Sequence, residues 1–104
     1  MPYKINEQGE YNFKAQHLYY MYFVYIIRSI KNNVLYFGRT DDLERRLRQH
    51  NTGNNLSTKK NVPWEYVYVE GYRAEQDAIS RELQLKDYGN ARTYVKKRIK
   101  NSLL

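Results

Sequence analysis

A predicted helix in the middle of the chain carries an arginine and a histidine on its core-facing side. At about 100° per residue, Arg46 and His50 fall in the same arc as Leu43 and Leu47. A guanidinium can bind a phosphate through two hydrogen bonds, and an imidazole can exchange a proton near neutral pH. Both also have ordinary explanations, because arginine can extend past leucines to solvent and the helix dipole favours histidine at a C-terminal end.

A second predicted helix carries a carboxylate in a similar position. Glu82 falls inside the apolar arc of Ile79 and Leu83. A carboxylate in such an arc requires a cation, and either an arginine or a divalent metal ion would serve. The chain has two histidines and no cysteine, which nearly excludes a multi-histidine or thiolate metal site. Glu82 is therefore a candidate metal ligand, with a structural ion pair as the alternative.

Two tyrosines in predicted strands complete the set of candidate residues. Tyr25 lies in the middle of the first strand and Tyr36 in the second. A phenol can donate or accept a hydrogen bond, and it can act as a base once nearby positive charge stabilises the phenolate. The chain contains 12 tyrosines, so ordinary packing is the simpler explanation for either residue taken alone.

These residues need a small α+β framework to bring them together. The alternation of β-branched and aromatic residues with turn and capping signals predicts the order β-β-α-β-α-α, which is a three-stranded antiparallel sheet flanked by helices. Gly38 should end the second strand, and Asp41 with Glu44 should form a capping box at the first helix. The predicted strands are 21–29, 34–38 and 63–70, and the predicted helices are 41–51, 73–86 and 91–102. The helix residues expected inside the core are Leu43, Leu47, Ala78, Ile79, Leu83, Ala91, Val95 and Ile99.

Length and charge narrow the class of protein. A chain of 104 residues holds one domain, which we expect at 21–104, with residues 1–20 as a loosely ordered extension. The net charge of +7 suggests a polyanionic partner, with nucleic acid first and an anionic membrane surface second, and a merely soluble basic domain as the alternative. No apolar run approaches the roughly 20 residues that a spanning helix needs, so a cytoplasmic protein is expected.

The ordered set of these residues resembles the GIY-YIG nuclease domain, in particular its small, single-domain, UvrC-like bacterial members. Phe23-Val24-Tyr25 and Tyr36-Phe37-Gly38 match the two signature triplets, and Arg46 stands ten residues after Tyr36. The resemblance covers roughly residues 21–100. It also includes Thr58, Pro63-Trp64-Glu65, Arg81-Glu82-Leu83 and Leu85-Lys86. The first triplet differs from Gly-Ile-Tyr but keeps its tyrosine.

The resemblance implies a metal-dependent endonuclease that hydrolyses DNA phosphodiester bonds in repair or recombination, with no small-molecule cofactor. Glu82 would bind Mg²⁺ or Mn²⁺, and Arg46 would contact the phosphate. Tyr36 or His50 would take a proton from water, and Tyr25 would orient that water. The implied catalytic residues are Tyr25, Tyr36, Arg46, His50 and Glu82, and either Asn90 or Asn101 would match a late family asparagine.

Two other functions remain open at this point. The chain could be a nucleic-acid-binding module of the same fold that cuts weakly or not at all, or a basic interaction protein without a nucleic-acid role. A dimer or a protein partner is compatible with either. The expected DNA contacts are Arg39, Arg45, Arg48, Lys59 and Lys60, with the C-terminal run Lys96, Lys97, Arg98 and Lys100 as a second candidate.

Overall fold

A three-stranded antiparallel sheet with strand order β2-β1-β3 forms the middle of the fold. The computed structural model describes residues 21–104, so the interpretation of residues 1–20 lies outside the described residues. The predicted fold class and element order are confirmed. The strands are β1 (Tyr22–Ser29), β2 (Leu35–Thr40) and β3 (Trp64–Tyr72), and the helices are α1 (Leu43–Asn51), α2 (Glu75–Asp87) and α3 (Gly89–Arg98), with a 3-10 turn at Lys59–Asn61.

The central strand β1 separates two apolar clusters. Alternate side chains of a strand point to opposite faces, so Val24 and Ile26 pack on one face with α2 and α3. Tyr25 and Ile27 pack on the other face with Trp64 and the leucines of α1. The first helix and the second helix therefore cover opposite faces of the sheet.

Strand β2 runs two residues further than its sequence predicts. Gly38 pairs with Tyr25, and the ladder continues through the pairs of Arg39 with Val24 and Thr40 with Phe23. The prediction that Gly38 ends the strand is therefore wrong, because β1 is long enough to keep pairing. The extension matters for the site, since it makes Arg39 a strand residue on the face that α2 covers.

Helix α1 starts one residue later than the capping box predicts. The N-cap is Asp42, whose side chain accepts a hydrogen bond from the Arg45 backbone N–H at 3.0 Å. Thr40 selects Asp42, because its hydroxyl accepts a bond from the Asp42 N–H at 3.1 Å. Glu44 pairs instead with Arg48 at 3.5 Å. The two-residue connection from β2 leaves α1 close to the end of that strand.

Helix α2 presents a different side to the core than its apolar arc predicts. Ala78 and Leu85 are fully buried, whereas Leu83 is 52% exposed. The prediction that Leu83 lies inside is wrong, because residues seven apart on this helix make the contact with the sheet. In α3, Val95 and Ile99 are buried and Ala91 packs against them, as predicted. Within 21–104, no helix is long and apolar enough to cross a membrane.

Candidate active site

A buried chain of hydrogen bonds connects α1 to β1 and to the loop that follows α1. The Tyr25 hydroxyl lies 2.7 Å from His50 Nε2, and His50 Nδ1 lies 2.8 Å from the Thr58 hydroxyl. All three of these residues have 0% exposed surface. Arg46 Nε donates to the same Tyr25 hydroxyl at 3.2 Å from the rim of the cluster. The arginine is thus the partly exposed end of an otherwise buried polar chain.

The donors and acceptors of this chain fit one arrangement of protons. A guanidinium can only donate, so the Tyr25 oxygen accepts from Arg46. The acceptor available to the phenol's own proton is His50 Nε2 at 2.7 Å. His50 then carries its proton on Nδ1 and donates to Thr58, whose hydroxyl donates to the Asn55 carbonyl at 3.4 Å. Every group has a partner in this arrangement, which is the condition for burying it at low cost.

The environment keeps both ring systems of the chain neutral. Burial, and then the neighbouring Arg46 cation, lower the pKa of His50 to about 4. Burial raises the pKa of Tyr25 to about 12, against the opposing influence of Arg46. At neutral pH the imidazole is uncharged and both of its nitrogens are engaged, so His50 has no free nitrogen facing solvent.

Close packing around Tyr25 fixes the position of this chain. A Cβ atom on Gly38 would overlap the Tyr25 hydroxyl and the ring carbon that bears it. The Tyr66 ring meets the Tyr25 ring edge-on at 5.4 Å, and the Tyr66 hydroxyl donates to the Leu43 carbonyl at 2.6 Å. Trp64 Nε1 donates to the Thr58 carbonyl at 2.9 Å. The second signature triplet therefore ends in glycine because any larger residue at position 38 would overlap Tyr25.

Tyr36 lies beside this cluster on the edge strand β2. Its ring meets His50 edge-on at 5.2 Å and Trp64 at 6.4 Å, and it is half-buried. Tyr36 packs against the same cluster as Tyr25, the residue to which Arg46 donates. On its other side, Lys86 Nζ lies 5.7 Å from the ring centroid. Tyr36, Arg46 and the buried chain therefore share one face of the sheet.

Glu82 reaches the site from the opposite face. Its side chain is 19% exposed, and its carboxylate contacts Arg39 Nε at 3.4 Å and Lys86 Nζ at 3.3 Å. Arg39 belongs to the α2-covered face of β2, so Glu82 lies on the opposite side of the sheet from Tyr25 and Tyr36. Glu82 and Tyr36 are linked at the β2 edge by Lys86, whose Nζ contacts the Glu82 carboxylate and lies over the Tyr36 ring. The cations that partner Glu82 are Arg39 and Lys86.

The predicted DNA-contact residues divide into two groups. Arg39 and Arg45 line one shallow depression where β2 joins α1. The candidate catalytic residue Arg46 and its acceptor Gln49, at 3.1 Å, line it too, as do the carboxylates of Asp41 and Glu75. Arg45 also pairs with Asp41 at 2.6 Å. The remaining predicted DNA contacts lie elsewhere on the exposed surface: Arg48 on α1, Lys59 and Lys60 in the 3-10 turn, and Lys96, Lys97, Arg98 and Lys100 in and just after α3. The two candidate family asparagines are also exposed, Asn90 at the start of α3 and Asn101 beyond it.

The residues present fit a hydrated divalent ion better than a multi-ligand metal site. No group of three His, Asp or Glu side chains able to hold a metal occurs within 21–104. Glu82 is a single carboxylate, and its contacts with Arg39 and Lys86 are longer than the roughly 2.7–2.9 Å of strong charged hydrogen bonds. Mg²⁺ commonly uses one or two carboxylates and keeps several waters, so Glu82 suits such an ion if its cationic partners turn away.

Comparison with known proteins supports the resemblance. A family model described as the GIY-YIG catalytic domain matches residues 21–99. A UPF0213 protein of Haloquadratum walsbyi is 37% identical over 68 residues, which cover 64% of this chain and 75% of that protein. A UPF0213 protein of Staphylococcus epidermidis is 37% identical over 68 residues, with 64% and 82% covered. One of Staphylococcus haemolyticus is 35% identical over the same length and coverage.

Substituting Gly38 should damage the site through Tyr25. The variant Gly38→Ala is expected to lose about 1–3 kcal/mol of unfolding free energy, because the new methyl group overlaps the phenol. The control is Gly71→Ala in β3, where the added Cβ would meet the movable end of the Met21 side chain at 2.8 Å. Chemical denaturation measures both variants. Equal stability of the two would show that the Tyr25 contact is not the constraint.

Acid should destabilise the fold through His50. The unfolded histidine takes up a proton near its ordinary pKa of 6.5, whereas the pKa of the folded one is lowered to about 4. Unfolding free energy should therefore fall as pH drops from 6.5 towards 4, by at most about 1.4 kcal/mol per pH unit. Denaturant titrations of wild type and His17→Gln should both show this slope, and His50→Gln should lack it. A flat wild-type profile between pH 6.5 and 5 would contradict the account.

Proposed function

The chain belongs to the GIY-YIG family, and from that premise we propose that it is a metal-dependent endonuclease that hydrolyses DNA phosphodiester bonds in repair or recombination. One observation carries the proposal. A buried neutral chain of Tyr25, His50 and Thr58 holds Arg46 at the edge of the sheet, on the face where Tyr36 packs. Arg39, an ion-pair partner of Glu82, lines the same depression as Arg46. A fixed cation, a phenol and a carboxylate together suit phosphodiester hydrolysis.

Arg46 is the proposed phosphate-binding residue. Its Nε is held by Tyr25 and one terminal nitrogen by Gln49, so the guanidinium is oriented before substrate arrives. Preorganised donors stabilise developing charge without reorganisation during the reaction. Arg39 and Arg45 line the same depression, and they would neutralise neighbouring phosphates. Tyr25 and His50 are positioning residues in this mechanism, because neither has an exposed polar atom.

Tyr36 is the proposed acceptor of the proton from the attacking water. The sequence leaves Tyr36 and His50 as alternatives, and the two engaged nitrogens of buried His50 favour Tyr36. The phenol is half-buried and packs against the cluster of Tyr25, the residue that holds Arg46. A tyrosine in that position can hand its own proton towards solvent and receive one from water at the phosphate.

Glu82 is the proposed ligand for a divalent ion, with Mg²⁺ or Mn²⁺ as the candidates. GIY-YIG nucleases generally use divalent metal ions, and such an ion supplies Lewis-acid stabilisation of the leaving oxygen. Glu82 would hold it through one carboxylate while Arg39 and Lys86 release that carboxylate. Both cations would then be free to contact substrate phosphates at the β2 edge.

A second candidate function is DNA binding without turnover. The observation in its favour is that the Glu82 carboxylate already has two cationic partners, Arg39 at 3.4 Å and Lys86 at 3.3 Å. A carboxylate with that role would serve the architecture of the edge rather than a metal ion. The protein would then keep the arginine-lined depression for phosphate and lack hydrolysis.

Nicking of supercoiled plasmid in the presence of Mg²⁺ or Mn²⁺ separates the two functions. We expect wild type to nick, and Tyr36→Phe, Arg46→Lys and Glu82→Gln each to lose at least about a hundredfold, as removal of one electrostatic or acid-base contribution does elsewhere. Asp87→Asn removes one negative charge from the same helix outside the site and should keep wild-type activity.

The thermal stability of Glu82→Gln decides what Glu82 does. If Glu82 is a metal ligand, the Glu82→Gln variant should lose activity with little change in melting temperature. If Glu82 is only a structural partner of the cations, the Glu82→Gln substitution should lower the melting temperature while Mn²⁺ affinity stays at the wild-type value. Absence of nicking by the wild type on plasmid, nicked and branched DNA with either ion would contradict the nuclease proposal.

A further inference from the structure

A second groove lies on the sheet face away from Tyr25, between β3 and α3. Three tyrosines line it, Tyr68 and Tyr72 from β3 and Tyr94 from α3. Tyr68 and Tyr72 pack against the cluster that contains Val24 and Ile26, which places the groove on the α2 and α3 side. None of the candidate catalytic residues lines it, so it is separate from the site at the β2 edge.

The one carboxylate that lines this groove is fully occupied. Glu70 is 14% exposed, and its carboxylate accepts hydrogen bonds from Nε and Nη2 of Arg81 at 2.9 to 3.2 Å. The hydroxyls of Tyr68 and Tyr72 donate to it as well. Its negative charge is therefore neutralised within the floor of the groove, and it does not oppose an anion above.

The wall formed by α3 is basic and aromatic. Lys97 and Arg98 line the groove beside Tyr94, and the ion pairs of residues 21–104 include neither cation. Tyr94 is 70% exposed, so its ring is accessible for stacking. An exposed ring beside cations that form no ion pair is a combination that proteins use to bind single-stranded nucleic acid, since bases stack on the ring while phosphates meet the cations.

We propose that this groove, defined by Tyr68, Tyr72, Tyr94, Lys97 and Arg98, binds single-stranded DNA. The inference rests on the proposed function, because it gives the same DNA substrate a second contact on the far side of the sheet. A single strand fits better than a duplex, whose bases are stacked on each other and cannot meet Tyr94. The groove would hold a flap or a displaced strand of a branched substrate while duplex phosphates occupy the arginine-lined depression.

Fluorescence anisotropy with labelled oligothymidylate of about 12 nucleotides, within the usual range of site sizes, tests the groove. The assay contains EDTA, so it reads binding without cleavage, and Arg46→Ala removes the phosphate contact at the β2 edge. In that background Tyr94→Ala should weaken binding at least about fivefold, the loss expected for one stacked base. Tyr88→Ala is the matched control, because Tyr88 is 65% exposed and lies outside the groove.

Salt dependence tests the contribution of the cations. Lys97→Ala with Arg98→Ala should reduce the slope of log affinity against log salt by about 1.4, or about 0.7 for each lost phosphate contact. Lys96→Ala with Lys100→Ala removes the same charge from the C-terminal part of the chain outside the groove, and it should change the slope less.

Several outcomes would overturn the proposal. They are wild-type affinity of Tyr94→Ala, an equal loss in Tyr88→Ala, or an equal change of slope in the two double variants. An acidic-peptide site would appear as polyglutamate binding that Tyr94→Ala weakens as much as oligothymidylate binding. A protein that fails to nick DNA but passes these binding tests would still have the groove as a single-strand site. Failure of the nuclease proposal can therefore be told apart from failure of the groove proposal.

Discussion

The hydrogen-bond chain from Arg46 through Tyr25 and His50 to Thr58 is the interaction on which the candidate site depends. Three of its four members are fully buried, and an unpaired polar group at such a position costs about 1–3 kcal/mol. The chain avoids that cost because each donor has an acceptor, and it does so only with a neutral imidazole. The same constraint restrains the Arg46 guanidinium at the surface, so the arginine loses little freedom when it meets a phosphate.

The edge position of β2 explains how side chains from opposite faces of the sheet can lie close together. Alternation along β2 directs Tyr36 and the bare side of Gly38 towards α1, and it directs Arg39 towards α2. Around an inner strand these groups would be separated by the sheet itself. At an edge, Lys86 can reach past the strand and contact both Glu82 and the Tyr36 ring. The groove between β3 and α3 lies at the opposite edge, so the molecule offers two separate polar surfaces.

The sequence predicts those features that periodicity determines. The core-facing angle of Arg46 and His50 follows from the leucines four residues apart on α1, and the fold class follows from the order of strand and helix signals. Asp42 replaces Asp41 as N-cap because a Thr40 hydroxyl selects between adjacent acids, and a helix pattern does not contain that contact. Leu83 is exposed because α2 meets the sheet through Ala78 and Leu85, seven residues apart, which a wheel centred on Ile79 misplaces. The roles of Thr58 and Lys86 depend on long-range contacts that periodicity does not contain. The family resemblance includes both residues without giving them a role, and Lys86 has the further local signal of lying four residues after Glu82.

The protonation state of His50 tests this account most directly. Nitrogen NMR of ¹⁵N-labelled protein at neutral pH, with ring-proton correlations and His17→Gln to remove the second histidine, reports which imidazole nitrogen carries the proton. The account predicts a neutral ring protonated on Nδ1, with Nε2 accepting the proton of the Tyr25 hydroxyl. A proton on Nε2, or an imidazolium with both nitrogens protonated, would contradict the account, because the Tyr25 hydroxyl could then not donate to His50 and the chain would not run from Arg46 to Thr58.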